Sequence, residues 1–116
     1  MGVELSVEPP ICDITVVGGT KKYKLVNHCA LMLAYKIIIN PGSNYSVPEN
    51  QLYGLIQIGY KVEIEITRKA PPRHDKLVIQ YASVGQEARD PKKPFETGKP
   101  VGEITGETIM KLIAVE

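Results

Sequence analysis

Two histidines, two cysteines and one glycine-lysine turn carry most of the reactive chemistry this 116-residue chain could offer. His74-Asp75 places a base beside an acid, two of the three groups of a hydrolytic triad. Adjacent residues on a strand point to opposite faces, however, and no serine or cysteine sits in a nucleophile-elbow context. Cys12, His28, Cys29 and His74 are zinc-ligand types, yet they lack the paired spacing, such as Cys-x-x-Cys, that preorganises a site. Gly18-Gly19-Thr20-Lys21-Lys22 has the residue types of a phosphate loop. It lacks the Gly-x-x-x-x-Gly-Lys-Ser/Thr pattern and the following helix, and reads as a strand-connecting turn. The sequence therefore predicts no catalytic residue, no metal site and no cofactor.

A different chemistry is written in Asp75-Lys76-Leu77-Val78-Ile79-Gln80-Tyr81. On a strand, alternate side chains share a face, so Leu77, Ile79 and Tyr81 form one face and Lys76, Val78 and Gln80 the other. Val78 thus stands among solvent-facing residues. In Leu33-Ala34-Tyr35-Lys36-Ile37-Ile38-Ile39-Asn40, Tyr35, Ile37 and Ile39 read as core, and Lys36 marks the outer face that Ile38 shares. Two strands that each offer a lysine and an aliphatic side chain to the outside predict an association surface if they are sheet neighbours. The competing expectation is that the long Gly85 to Gly106 segment folds back and covers them.

The elements that must position these residues are strands. Lys61-Val62-Glu63-Ile64-Glu65-Ile66-Thr67 alternates charged and aliphatic residues, the period of a half-buried antiparallel strand. Further strands are predicted near Leu5 to Val7, Ile11 to Val17, Lys21 to Asn27, Met32 to Asn40, Leu52 to Ile58, Lys76 to Val84 and Glu107 to Val115. Pro9-Pro10, Gly18-Gly19, Pro41-Gly42-Ser43-Asn44 and Ala70-Pro71-Pro72 separate them. Short strands at this spacing predict an all-β sandwich. No segment carries a 3.6-residue apolar period over three turns; one helical turn is expected near Pro91 to Phe95.

Length and composition predict a single domain over residues 1–116, large enough to bury roughly two-thirds of its unfolded surface. The formal charge of +1 provides no field to gather nucleic acid or anionic lipid. No apolar run is long enough to span a membrane, and Glu4 and Pro9-Pro10 stand where a signal peptide would have its apolar core. A cytosolic protein with both thiols reduced is the expectation, and the sequon Asn44-Tyr45-Ser46 reads as a polar loop.

The ordered set Leu5-x-Val7-x-Pro9-Pro10, a strand ending in Asn27, Ala34-Tyr35-Lys36-Ile37, Tyr45-x-Val47, Tyr53-Gly54-Leu55-Ile56 and Asp75-Lys76-Leu77-Val78-Ile79-Gln80 resembles the major sperm protein (MSP) domain. With Asp90-Pro91-Lys92-x-Pro94-Phe95 and Gly102-Glu103 it is most similar to the small sperm-specific MSP-domain proteins of nematodes. The resemblance implies an immunoglobulin-like seven-stranded sandwich, MSP/PapD-like, in which the third, sixth and seventh strands lie side by side. Ile38 and Val78 would then share one outer face. In the last strand Lys111 points outward, which would place Ile109 and Ile113 on that face and Met110, Leu112 and Ala114 in the core.

In the membrane-contact adaptors of this family, the same face binds short acidic peptides containing two phenylalanines. Lys36, Lys76 and Val78 match those positions. Ile38 departs from them, standing where the adaptors have a second lysine, and Ile39 and Asn40 stand where they have threonines. That departure shifts the expected partner toward apolar chemistry. Two further departures are an inserted turn at Glu49-Asn50-Gln51-Leu52 and Gln57-Ile58-Gly59 in place of Asp-Pro-Gly. The resemblance implies a non-enzymatic, cytoplasmic interaction module, structural or cytoskeleton-associated in nematode sperm. It would act by dimerisation or partner binding through Lys36, Ile38, Lys76, Val78 and Ile109. An extracellular signalling or adhesion domain of the same fold is the alternative, which a Cys12–Cys29 bridge or a glycan on Asn44 would favour.

Overall fold

The computed structural model describes residues 4–8, 11–15, 18–39, 45–69, 75–97 and 100–115, with the backbone alone at 11–15, 75 and 113–115. The strands are β1 (Leu5–Glu8), β2 (Ile11–Thr15), β3 (Gly19–Asn27), β4 (Met32–Ile39), β5 (Tyr45–Ser46), β6 (Tyr53–Ile56), β7 (Lys61–Arg68), β8 (Asp75–Val84) and β9 (Thr105–Val115). Single 3-10 turns occur at Glu49–Gln51 and Lys93–Phe95, where the inserted turn and the one-turn helix are expected. His74, the proline turns at 9–10 and 70–72, Asn44, and the side chains of Cys12, Ile113 and Ala114 lie outside what is described.

One sheet has the order β1-β3-β7-β5 and the other β2-β9-β8-β4-β6. The strands pair antiparallel except β2 with β9. The first strand of the sandwich changes sheets between β1 and β2, and the fourth between β5 and β6. Counted through these crossings, the nine segments make the seven strands of an immunoglobulin-like sandwich.

The expected alternation holds on the long strands. Leu33, Tyr35 and Ile37 of β4, Leu77, Ile79 and Tyr81 of β8, Ile64 and Ile66 of β7, and Met110 and Leu112 of β9 are buried. All belong to one apolar core that also takes in Leu5, Tyr23, Leu25 and Ile56.

One inner row shows how the sheet edges fit. Gly54, Tyr35, Tyr81 and Gly106 lie opposite one another across β6, β4, β8 and β9. A Cβ on Gly54 would stand 2.5 Å from the Tyr35 ring, and one on Gly106 would collide with the Tyr81 hydroxyl. The glycines are the space into which the two rings lean. Tyr81 then donates to Glu4 Oε1 at 2.9 Å, and Thr108 Oγ1 donates to the Leu5 carbonyl at 2.7 Å. Both bonds tie the sheets together at the β1 edge.

Asn27, paired with Leu5 of β1, closes the same end. Its Nδ2 donates to Leu31 O at 3.0 Å and Ile56 O at 2.9 Å, while its Oδ1 accepts from Cys29 N at 2.7 Å. Cys29 itself is a buried free thiol. Its segment adjoins Met32, which pairs with Val84, whereas Cys12 is level with Leu112 and hence Asp75. Asp75 and Val84 are the two ends of β8, so the cysteine backbones are separated by roughly 30 Å. A bridge requires Cα atoms within about 7 Å, so the two thiols do not pair with each other.

Candidate interaction face

Outer-face residues of the five-stranded sheet line up in rows across the strands. Ile38 is opposite Val78, and Val78 is opposite Ile109. These three aliphatic residues form one row perpendicular to the strands, on the three adjacent strands that the family resemblance implied. Ile38 is 36% exposed and Ile109 57%, with Val78 half-buried between them.

The row above is Lys36–Gln80–Glu107, and the row below contains Lys76 opposite Lys111. The apolar strip is therefore bordered by Lys36, Gln80 and Glu107 on one side and by Lys76 and Lys111 on the other. The geometry brings Lys36, Ile38, Lys76, Val78 and Ile109 together on one face.

Beyond the Lys36 row the same face is covered. Met32, Ala34 and Ala82 point outward by alternation yet are buried, and they stand apart from the inter-sheet core. The segment from 85 to 104 returns across them. Ser83 N donates to Ile104 O at 2.7 Å, and Ile104 N donates to Ser83 Oγ at 2.8 Å. A Cβ on Gly102 would stand 2.5 Å from Ser83 O and 3.4 Å from the Ala82 Cβ. Further along, buried Phe95 packs on Tyr53, ring centroids 6.1 Å apart and tilted by 57°. The expected cover thus exists, but over the half of the face that does not carry Ile38 and Ile109.

Sequence reasoning missed the residues where the covered and open halves meet. Tyr53 is opposite Lys36, whose Nζ lies 5.8 Å from the ring centroid. Lys92, from the loop after β8, brings its Nζ to 5.4 Å from the same ring. The ring attracts both ammonium groups through its negative face. The signal available beforehand was Tyr53 on an edge strand beside a lysine-bearing one; the position of Lys92 depends on the loop's path.

His28 Nε2 and Ser6 Oγ are 2.7 Å apart on the surface, a contact that fastens β1 to the turn after β3. Among the described residues, no three His, Cys, Asp or Glu side chains cluster in a way that could hold a metal. No helix among them is long and apolar enough to cross a membrane.

Residues 4–103 match the family model of the MSP (Major sperm protein) domain. An uncharacterized Caenorhabditis elegans protein, ZK1307.3, is 48% identical over the full length of both chains. The sperm-specific class P protein 31 of the same nematode is 33% identical, with 95% of this chain and 98% of that protein covered. The solved structure of WR4, a C. elegans MSP family member, superposes with a TM-score of 0.85 at 33% identity, covering 98% of this chain and all of the other. Sequence, strand order and superposition agree that this chain belongs to the major sperm protein domain family.

Proposed function

We propose that this protein is a non-enzymatic interaction module of nematode sperm, structural or associated with the sperm cytoskeleton, that engages another protein through its five-stranded face. The observation that carries the reading is the register: Ile38, Val78 and Ile109 stand in one row on three adjacent strands. Burying such side chains at a contact is worth roughly 1.5–3 kcal/mol apiece when they are fully desolvated.

The bordering charges select the partner's chemistry. Lysines stand in the rows on both sides of the ridge, so a segment presenting carboxylates on either side of an apolar strip fits the face. Short acidic peptides are one form of such a segment. With isoleucine at position 38, more of the affinity rests on apolar contact and less on charge.

The test is retention of a partner from nematode sperm extract by the wild-type protein, Val78→Asp and the double variant with Ile38→Asp. The expected result is a partner captured by the wild type and lost from both variants, with melting temperatures unchanged. Collapse of the melting temperature would show that these side chains support the fold. Equal capture by all three proteins would remove the face from the function.

A further inference from the structure

The edges of the two sheets are finished differently. β7 extends beyond its two pairs with β5, and there Gln51 Oε1 accepts from Glu65 N at 2.7 Å, a side-chain oxygen standing where a neighbouring strand's carbonyl would. β6, the last strand of the five-stranded sheet, has β4 on one side and no strand on the other. Ile37 N donates to Leu52 O at 2.8 Å, and Tyr35 lies opposite Gly54. That phase directs the backbone groups of Leu52, Gly54 and Ile56 toward β4, so those of Tyr53 and Leu55 point out of the sheet. Among the described residues, none bonds to them.

This edge is open and carries positive charge. Tyr53, Gly54 and Leu55 are half-exposed. Beside Tyr53 lies an open hollow of about 440 Å³, lined also by Glu49, Asn50, Pro91 and Lys92, with Glu49 its one carboxylate. Lys36 and Lys92 both bring their ammonium groups to the Tyr53 ring, and neither forms an ion pair among the described residues.

We infer that β6 is a strand-addition site, at which an extended segment of a partner protein pairs through its backbone with Tyr53 and Leu55 and sets an aspartate or glutamate opposite Tyr53. In such additions the backbone bonds provide affinity and alternate side chains provide selection. Side chains directly opposite each other stand about 5 Å apart on one face. The residue facing Tyr53 therefore meets Lys36 and Lys92, and a carboxylate is the fitting chemistry there. The next residue points to the inner side beside Gly54, against which the Tyr35 ring lies, and an aliphatic side chain suits it. With two residues of β6 on offer, the contact is short and belongs with weak, reversible ones. It uses the edge of the sheet, not the Ile38–Val78–Ile109 row, and stands apart from it.

NMR titration with an end-blocked hexapeptide alternating glutamate and valine tests the inference. At saturation the Tyr53 and Leu55 amide protons should exchange with solvent about tenfold or more slowly, as strand-paired amides do. The lysine–valine counterpart should bind at least about tenfold more weakly. The glutamate–valine peptide methylated on its glutamate nitrogens keeps its charge but cannot pair, and should protect neither amide. Lys92→Gln should weaken binding about two- to fivefold at an unchanged melting temperature. Val78→Asp should bind the peptide as the wild type does, so the edge and the aliphatic row are tested separately. Resonance shifts centred on Ile38, Val78 and Ile109, with Tyr53 and Leu55 unprotected, would overturn the inference and leave the row as the binding site. So would equal binding of the methylated peptide, or no protection at millimolar peptide.

Discussion

The outer faces of the two sheets are made from similar residue types arranged in opposite ways. On the four-stranded sheet, Lys22 is opposite Glu65 and Lys24 opposite Glu63, and Thr20 opposite Thr67 places their hydroxyl oxygens 2.7 Å apart. Ion pairs Lys22–Glu63 and Lys61–Glu8, each at 3.8 Å, complete the pattern. That face satisfies its charges internally. On the five-stranded sheet, Lys76 is opposite Lys111 and the central row is aliphatic. Like charges directly opposite oppose pairing by a few tenths of a kcal/mol or more, whereas unlike ones support it. The first arrangement pairs unlike charges across the strands; the second sets two lysines opposite each other beside an aliphatic row.

The largest test of this contrast compares neighbours on β8. Ile79 is fully buried between the sheets and Val78 faces outward. Ile79→Ala should lower stability by about 2–5 kcal/mol through lost burial and a residual cavity, and Val78→Ala by less than about 1 kcal/mol. Urea unfolding of both variants measures the difference. Comparable losses would mean that the outer row supports the fold as much as the core does.

Next in size is alkaline unfolding, which removes the scaffold under both faces. Tyr81 is pushed up to about 12, first by burial, then by its hydrogen bond to Glu4 and the charges of Glu4 and Cys29, against a smaller backbone effect of Glu4. Burial also raises Tyr35. The unfolded tyrosine titrates near 10, so the neutral hydroxyl favours the folded state. That contribution is complete below pH 10 and is lost as pH rises toward 12. Denaturation midpoints should fall across this window, and Tyr81→Phe should flatten the fall.

Much of this arrangement was legible because the strands are long and each carries a lysine that reports orientation. Lys36, Lys76 and Lys111 assigned Ile38, Val78 and Ile109 to the outside, and the resemblance supplied the adjacency that turned three residues into a row. Nothing in the local pattern shows that the first and fourth strands change sheets, since either half could pair with either sheet until the rest of the fold exists. Tyr45–Ser46 is too short for a period and was hidden inside a polar-looking sequon. Arg68, one residue beyond the strand read from the sequence, is buried with its guanidinium carbon 5.9 Å from the Tyr45 ring. A charged residue goes inside only when such partners converge, and these are distant in sequence. Lys92 reached Tyr53 for the same reason, through the path of a loop without periodicity.

The smallest effect belongs to the charged face. Glu63→Lys places a lysine opposite Lys24 and removes the carboxylate paired with Lys22. Both members of that pair are more than half exposed, so the loss should be about 0.5–1 kcal/mol and should shrink as salt is added. Adding Lys22→Glu restores an opposite-charge pair with position 63 but sets a carboxylate opposite Glu65, so little of the stability should return, measured as a double-mutant cycle in urea at low and high salt. Partner capture through the Val78 face should be unchanged in every variant, because the altered residues lie on the other side of the sandwich. If capture falls with stability intact, the four-stranded face also contacts the partner, and the division between a face that closes on itself and a face that recruits fails.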